Sequence, residues 1–308
     1  MGTVVTITAW TADEAAAVAA FDAAFAEMER LERLMTVWRP ESDVSRLNAA
    51  AGKGPVKVSA EVIEALQAAR QMSDWTDGKF DVTFGALSGL WKFDHDQDNR
   101  IPDPAELGKR LPFIDYRDLV IDAGTGTAEL RREGMRAHLG GIGKGYAVRR
   151  VVAMLRSRGQ GHFMVQAGGD LYVAGRRGDR AWRVGIRDPR GPADRYFAAA
   201  EVTDATFSTS GDYERSFIQE GARYHHILDP DTGQPARLCR SVTVMAADAL
   251  MADGLSTGVF LLGPERGMAL IERLPDVEAL IVDAKNRVTI SSGLKDRIRI
   301  LTPPTDGI

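Results

Sequence analysis

The region between residues 162 and 246 constrains the fold most, because β-strand patterns follow one another there without a helical pattern between them. The segments are, in order, HFMVQAGGDLYVAG, WRVGIRDP, FAAAEVTDATFSTSG, YHHILDP and SVTVMA. This order lacks the regular alternation of strand and helix that is typical of a doubly wound parallel sheet. The sequence therefore predicts an α+β fold, with mixed or antiparallel sheets flanked by helices, mainly on one face.

Helical and strand patterns on both sides of this region complete the predicted element order. Residues 3–10 alternate as a strand does, and residues 12–36 predict a helix. The apolar positions of that helix are Phe21, Phe25, Met28, Leu31 and Met35. A second helix is predicted from Ser59, with Val62, Ile63, Leu66 and Ala69 on its inner face, followed by irregular structure over 76–120 that ends near the strand DLVID. Three further helices are predicted: one from the turn GGIGKG to about Arg158, one capped by Asp248, and one from Pro264 to Leu274. A hairpin is predicted over 278–291.

Composition excludes several classes of protein. The formal net charge is −4 at pH 7 and the charges are interspersed, which argues against a nucleic-acid-binding protein. The single cysteine, Cys239, cannot form an internal disulfide, and no Cys/His spacing indicates zinc. No apolar stretch reaches transmembrane length, and the N-terminus lacks the pattern of a signal peptide. We therefore expect a soluble chain, cytoplasmic as it stands, or periplasmic or an inner-membrane lipoprotein if an export signal was removed.

An aspartate interrupts the apolar segment ALMADGLSTGVFLLG, residues 249–263. In a helix, Asp253 and Thr257 lie one turn apart on the same face. Their oxygens are the type of ligand that suits Mg²⁺, which takes one or two protein carboxylates and leaves room for substrate phosphates. The alternative is a Thr257 hydroxyl bonded to a helix carbonyl and an Asp253 solvated at a helix edge.

Four other segments carry candidate polar groups. The turn GGIGKG (140–145) fits an anion site with Lys144 as a cation, or a tight packing turn. His225 and His226 are adjacent, so in a strand they point to opposite faces, and one of them is a candidate acid, base or phosphate contact. FSTSGDYER (207–215) fits a phosphate or sugar contact or a plain turn, and Trp38 fits either ring stacking or ordinary core packing.

Eight segments resemble, in their order and their amino-acid sequences, one family, the FAD:protein FMN transferases, or ApbE-like flavin transferases. The segments are MGTVVTI, MTVWRPESDVSRLN, FDVTFGAL, GGIGKGYAV, VQAGGDLYVAG, FSTSGDYER, HHILDPDTG and ADGLSTGVFLLG. The resemblance runs from residue 1 to about 265. It implies one flavin transferase domain over residues 1–308, in which two intertwined lobes of duplicated character enclose a central flavin cleft.

The resemblance also implies an activity. Members of the family use Mg²⁺ to cleave FAD and place FMN on a threonine hydroxyl of a target flavoprotein, such as a redox or electron-transport subunit, with release of AMP. Some members instead hydrolyse FAD to FMN and AMP. A non-catalytic FAD-binding protein is the third hypothesis, although a pure binder has no need of a metal at the pyrophosphate.

Site residues carry over from the matching segments. The metal would be held by Asp253, Thr257 and the Gly141 carbonyl, and His226 would transfer the proton or activate the acceptor. The flavin nucleotide would lie near the following residues: Trp38, Lys144, Ser210, Gly211, Asp212, His226, Ile227 and Thr257. The chain departs from the family pattern at His138 and Arg149, where relatives often carry an aspartate that bears on flavin affinity or adenine recognition.

Overall fold

The structure, a computed structural model, describes residues 2–307 and contains both helices and strands. The α-helices are α1 (Glu14–Met35), α2 (Asp43–Ala49), α3 (Ala60–Trp75), α4 (Pro104–Arg110), α5 (Gly143–Ser157), α6 (Ala249–Leu262) and α7 (Pro264–Ile271). The strands are β1 (Val5–Ala9), β2 (Val56–Lys57), β3 (Leu119–Asp122), β4 (Thr127–Leu130), β5 (Phe163–Ala167), β6 (Asp170–Ala174), β7 (Trp182–Arg187), β8 (Tyr196–Val202), β9 (Ala205–Gly211), β10 (Ser216–Gln219), β11 (Ala222–His225), β12 (Cys239–Ala246), β13 (Glu278–Asp283), β14 (Val288–Ile290) and β15 (Ile298–Ile300). The predicted α+β class is confirmed.

A seven-stranded antiparallel sheet forms the centre of the described range, in the order β1-β5-β6-β9-β12-β13-β14. Smaller sheets are β15-β8-β7, β2-β4-β3 and the hairpin β10-β11. The two glycines between β5 and β6 make the tight turn of a hairpin, and Gly168 has a φ of +61° that favours glycine. This turn makes Asp170 the first residue of β6.

The two faces of the large sheet pack against different layers. On one face, Val165, Val242 and Val244 join the main apolar core with residues of α1, α3, α5 and α6. On the other face, Phe207 and Leu280 pack against the β15-β8-β7 sheet in a second core. Side chains alternate between the faces because successive residues of a strand point in opposite directions. The site described below lies on the helical face.

Most predicted elements are present, with three differences. Phe25 is 43% exposed and lies on the outer side of α1, although its spacing predicts an inner position. The strand predicted for YHHILDP ends at His225, so His226 lies outside it. The segment 76–120 contains a short helix, α4, which begins with Asp103 as its N-cap and Pro104 as its first residue. No helix of residues 2–307 is long and apolar enough to cross a membrane.

Candidate active site

Helices α5 and α6 approach closely at Gly145. A Cβ atom on Gly145 would lie 2.3 Å from the Ala249 carbonyl oxygen and 2.5 Å from Asp253 Cβ, so a side chain cannot fit. The bare backbone lets the Gly145 amide donate a hydrogen bond to Asp253 Oδ2 at 2.7 Å. The glycine-rich turn therefore serves close helix packing, and it also brings the Gly145 backbone N–H to a carboxylate.

Asp253 is an almost fully buried carboxylate, with 2% of its surface exposed. Its Oδ1 accepts a hydrogen bond from Lys144 Nζ at 3.1 Å. The alternative in which Asp253 is solvated at a helix edge is therefore wrong. A buried charge needs a partner to offset its lost hydration, and Lys144 is that partner.

A second buried carboxylate, Asp170, lies on the other side of Lys144. Asp170 Oδ2 is 3.3 Å from Lys144 Nζ, and Asp170 is 1% exposed. Burial raises the pKa of Asp170, and the charge of Asp253 raises it further, against the opposing effect of Lys144. Burial alone would lower the pKa of Lys144, but the two carboxylates outweigh this and raise it above its ordinary value.

Hydroxyl groups continue this cluster from the sheet to α6. Ser208 Oγ donates to Asp170 Oδ1, and Ser208 Oγ lies 3.3 Å from Ser256 Oγ. Ser210 Oγ lies 2.8 Å from Ser256 Oγ and 3.1 Å from Thr257 Oγ1. Thr257 is thus hydrogen-bonded through its side chain to β9, which the spacing of Asp253 and Thr257 alone does not indicate.

Gly141 lies beside Thr257. A Cβ atom on Gly141 would be 3.5 Å from Thr257 Cγ2 and 3.2 Å from a ring carbon of Phe80. The structure therefore brings together Gly141, Lys144, Asp253 and Thr257, from two segments more than a hundred residues apart in the sequence. The absence of a side chain at Gly141 keeps this side of Thr257 open.

The two adjacent histidines have different surroundings. His225 is buried, its Nε2 lies 2.8 Å from the Ala236 carbonyl oxygen, and its Nδ1 accepts from the Ile227 amide at 3.3 Å. The ring is therefore the neutral tautomer with its proton on Nε2. Burial lowers the pKa of His225 to about 4. His225 is a structural residue at the end of β11.

His226 has a free ring nitrogen instead. Its Nδ1 is buried and has no hydrogen-bond partner among residues 2–307. Burial, together with the positive charges of Arg215 and Lys144, lowers the pKa of His226 to about 3. His226 is therefore neutral near pH 7, with an unused acceptor or donor position.

The remaining predicted residues vary in accessibility. Trp38 is 56% exposed and contacts the edge of His95 at a ring-centroid distance of 4.7 Å, so it is not a core residue. Ser210 is partly exposed, whereas Gly211 and Ile227 are buried. Asp212 is buried in a bidentate ion pair with Arg190, with two N···O distances of 2.7 Å, so its carboxylate already has a partner.

The two departures from the family pattern have ordinary structural surroundings. Arg149 lies on α5 within 4.0 Å of Glu64 and 3.7 Å of Asp248, in partly exposed ion pairs. His138 Nδ1 accepts a hydrogen bond from the Gly140 amide at 3.0 Å, at the start of the glycine-rich turn. Arg149 is thus on a helix surface, whereas His138 borders the site.

The charges and donors of the cluster fit a hard divalent cation. Two buried carboxylates face one ammonium group, so when both are ionised one negative charge has no counterion inside the cluster. The available donors are oxygens of carboxylate, hydroxyl and backbone groups, which Mg²⁺ prefers. Residues 2–307 contain no group of three or more His, Cys, Asp or Glu side chains placed to hold a metal. A cation here would therefore depend on backbone, hydroxyl and substrate oxygens as well.

Comparison with known proteins decides the family. The profile of the ApbE family matches residues 1–281. The chain belongs to the ApbE family. The FAD:protein FMN transferase of Treponema pallidum is 34% identical, over 98% of this chain and 87% of that protein. One from Klebsiella pneumoniae is 33% identical, over 95% and 90%.

Solved structures of ApbE proteins share the fold. The ApbE protein of Thermotoga maritima superimposes with a TM-score of 0.83 at 32% identity, over 96% of this chain and 95% of that one. The flavin transferase ApbE from Vibrio cholerae gives 0.84 at 30% identity, over 96% of each chain. The ApbE membership expected from the eight sequence segments is confirmed.

Sequence reasoning missed three residues of the polar cluster around Lys144: Asp170, Ser208 and Ser256. A signal for Asp170 was present, because GGD places a carboxylate directly after a glycine turn and before the apolar strand LYVA. Ser256 lies between the two predicted ligands in DGLST. Ser208 alternates with Ser210 along a strand, so both face the same side. Only the pairing of strands and helices brings these three groups together.

Proposed function

We propose that this protein is a Mg²⁺-dependent FAD:protein FMN transferase, which moves FMN from FAD to a threonine hydroxyl of an acceptor flavoprotein and releases AMP. The observation that carries the proposal is the buried Asp253 carboxylate, paired with Lys144 one helical turn from the Thr257 hydroxyl. Membership of the ApbE family supplies the flavin chemistry. The acceptor would be a redox or electron-transport subunit.

Asp253, Thr257 and the Gly141 carbonyl would hold the cation. A bound Mg²⁺ would neutralise the negative charge that develops on the diphosphate oxygens of FAD. Lys144 is anchored by Asp170 as well as by Asp253, so it stays in the cluster as a second positive charge for the same oxygens. Phosphoryl transfer depends mainly on such positioning and charge stabilisation.

His226 would take the proton of the attacking threonine. Its neutral ring has an unpaired nitrogen, which is the state a general base needs. A diphosphate beside the ring would add negative charge and raise the pKa of His226 towards a useful range. The new bond joins the threonine oxygen to the FMN phosphorus, the bond between the two phosphates breaks, and AMP leaves with the electron pair.

The flavin and its ribityl chain would lie between the exposed Trp38 ring and the β9 end of the cluster. Trp38 is available for stacking because more than half of its surface is exposed. Ser210 and Gly211 would line the cleft, with Ile227 as an apolar wall. Asp212 would act through Arg190 by fixing the end of β9, since its carboxylate is already paired.

Mass spectrometry of a threonine-bearing flavoprotein fragment, incubated with the protein, FAD and Mg²⁺, tests the proposal. We expect a mass gain that matches FMN, and equimolar AMP. Asp253→Asn should lower the transfer rate by roughly 10²–10³-fold, the range for losing one charge-stabilising group. Asp283→Asn, which changes a buried carboxylate at the last residue of β13, two strands away from β9, is the matched control and should keep most activity.

Three outcomes would contradict the proposal. Full transfer by Asp253→Asn would remove the carboxylate from the metal site. Rapid AMP release that is equally fast without an acceptor would identify an FAD pyrophosphatase, in which water replaces the threonine. FAD binding without any AMP would identify a flavin-binding protein.

A further inference from the structure

The hydroxyl groups between Asp170 and Thr257 form a continuous chain with a definite direction. Each hydroxyl has one proton to donate and two lone pairs to accept with. Ser208 uses its proton on Asp170 Oδ1, so it can only accept in its 3.3 Å contact with Ser256. Lys144 Nζ lies 3.3 Å from the other carboxylate oxygen, and its positive charge favours the ionised form of Asp170, which accepts at this end.

Ser256 Oγ has two possible acceptors besides Ser210. Its Oγ lies 3.0 Å from the Asp253 carbonyl oxygen and 3.3 Å from Ser208 Oγ, and both of these can take its proton. With the Ser256 proton on Ser208, which makes the chain to Asp170 continuous, the 2.8 Å contact between Ser256 and Ser210 takes the Ser210 proton. Ser210 has thereby used its only proton, so it must accept in its 3.1 Å contact with Thr257 Oγ1.

We propose that Ser208, Ser256 and Ser210, anchored on Asp170, form a one-way hydrogen-bond chain that draws the Thr257 proton towards Ser210. Thr257 Oγ1 then keeps its lone pairs free for a cation. The serines and Asp170 are positioning residues, because they act through Thr257. This inference rests on the proposed metal role of Thr257, but the direction of the chain does not.

Neutron diffraction of deuterium-exchanged crystals tests the direction without any metal or substrate. We expect the Thr257 deuterium between Oγ1 and Ser210 Oγ, and the Ser210 deuterium between Ser210 Oγ and Ser256 Oγ. A Ser210 deuterium directed at Thr257 would overturn the proposal, whatever the activity of the protein. This result is independent of the proposed function.

Mn²⁺ binding, followed by the electron paramagnetic resonance signal of the free ion, tests the consequence. Ser256→Ala leaves the Ser210 proton free to bond to Thr257, so we expect Mn²⁺ affinity to fall about threefold to tenfold, the equivalent of one hydrogen bond. Thr257→Val should also weaken binding. In the Thr257→Val background, Ser256→Ala should leave the Mn²⁺ affinity unchanged, because its effect passes through Thr257.

Thr243→Val is the matched control. Thr243 and Thr209 form a hydroxyl pair of 2.8 Å on the opposite face of the same two strands, β12 and β9. This variant should leave Mn²⁺ affinity unchanged. If Ser256→Ala weakens Mn²⁺ binding equally in the unmodified protein and in the Thr257→Val background, the positioning role is overturned and nothing else is. An unchanged affinity in Thr257→Val would instead overturn the metal assignment in the proposed function, and the neutron result would still decide the chain.

Discussion

Asp253 is carried by a buried helix, whereas His226 follows the last residue of a two-stranded hairpin. The Asp253 carboxylate contacts the Gly145 amide and Lys144, and its helix packs against the large sheet. His226 Nδ1 has no hydrogen-bond partner within residues 2–307, although its backbone amide donates to the Arg215 carbonyl at 3.1 Å. One side of the site is fixed by packing, and the other side has unused hydrogen-bonding capacity.

This difference fits two kinds of task. A group that holds a cation has to be in place before the substrate arrives, since preorganised charges lower the cost of reaction. A group that exchanges a proton needs a nitrogen that is not already hydrogen-bonded within the protein. Under the proposed function, the Asp253 carboxylate, with both oxygens hydrogen-bonded, belongs to the cation-binding half, and His226, with its unpartnered Nδ1, belongs to the reactive half.

The largest expected effect is on the transfer rate, and it tests the His226 side of the comparison. His226→Ala should lower the FMN transfer rate by roughly 10²–10⁴-fold, the usual contribution of a general base. FAD affinity should change little, because in the proposed site Asp253, Thr257 and the Gly141 carbonyl hold the cation that meets the diphosphate. Single-turnover kinetics and FAD fluorescence titration measure the two quantities separately.

His162→Ala is a matched control for that substitution. His162 is also a histidine beside a strand, and its Nδ1 accepts from the Arg176 amide at 2.9 Å, at the opposite end of the β5-β6 hairpin from Asp170. Its loss should leave the transfer rate near that of the unmodified protein. Equal rates for His226→Ala and the unmodified protein would place the proton transfer on another group.

The second prediction concerns stability and tests the close packing of α5 and α6 on the Asp253 side. Gly145→Ala would force a Cβ against the Ala249 carbonyl and Asp253 Cβ, where backbone on both sides prevents adjustment. We expect the free energy of unfolding to fall by about 3 kcal/mol, as for other overpacked sites. Chemical denaturation gives the value.

Gly108→Ala is the control within another helix. A Cβ on Gly108 of α4 would meet no atom within 4 Å, so the change should stabilise by about 0.5–1 kcal/mol through helix propensity. If both glycine variants behave alike, close packing of α5 and α6 does not explain Gly145.

The sequence predicts these two halves to different extents. The helix that carries Asp253 and Thr257 is predicted from its apolar run and its cap at Asp248, because both signals are local. Asp170, by contrast, reaches the site only through the order β6-β9-β12, which pairs strands distant in sequence. Phe25 shows a related limit: its spacing fits the inner face of α1, but the packing neighbours decide that it is exposed. Long-range pairing is therefore what local patterns leave undetermined.

The third prediction separates the two histidines by pH. The pKa of His225 is about 6.5 in an unfolded chain and is lowered to about 4 by burial in the folded protein. Between these values the unfolded chain binds more protons, so the free energy of unfolding falls as the pH decreases from about 6.5 to 4. The loss from His225 should be at most about 3 kcal/mol.

Urea denaturation at a series of pH values measures this slope. His225→Gln removes the titrating ring, so its stability should depend less steeply on pH in the same window, although it is lower overall. An unchanged slope would mean that His225 does not bind its proton as a buried neutral ring does, and that the two histidines are not distinguished by their environments.

The smallest expected effect concerns the edge of the site at Trp38. Trp38→Ala should weaken FAD binding by about twofold to tenfold, the range of one aromatic stacking contact, and leave the free energy of unfolding within about 0.5 kcal/mol. Trp10→Ala is the matched control, because Trp10 is 53% exposed, close to the 56% of Trp38, but lies beside Gln160 and His162 at another surface. Titration of each variant with FAD, followed by fluorescence quenching, gives the two FAD affinities for comparison. A loss for Trp38→Ala alone would extend the site beyond the cluster to this exposed ring, and equal affinities would confine flavin binding to the cleft between Ser210 and Lys144.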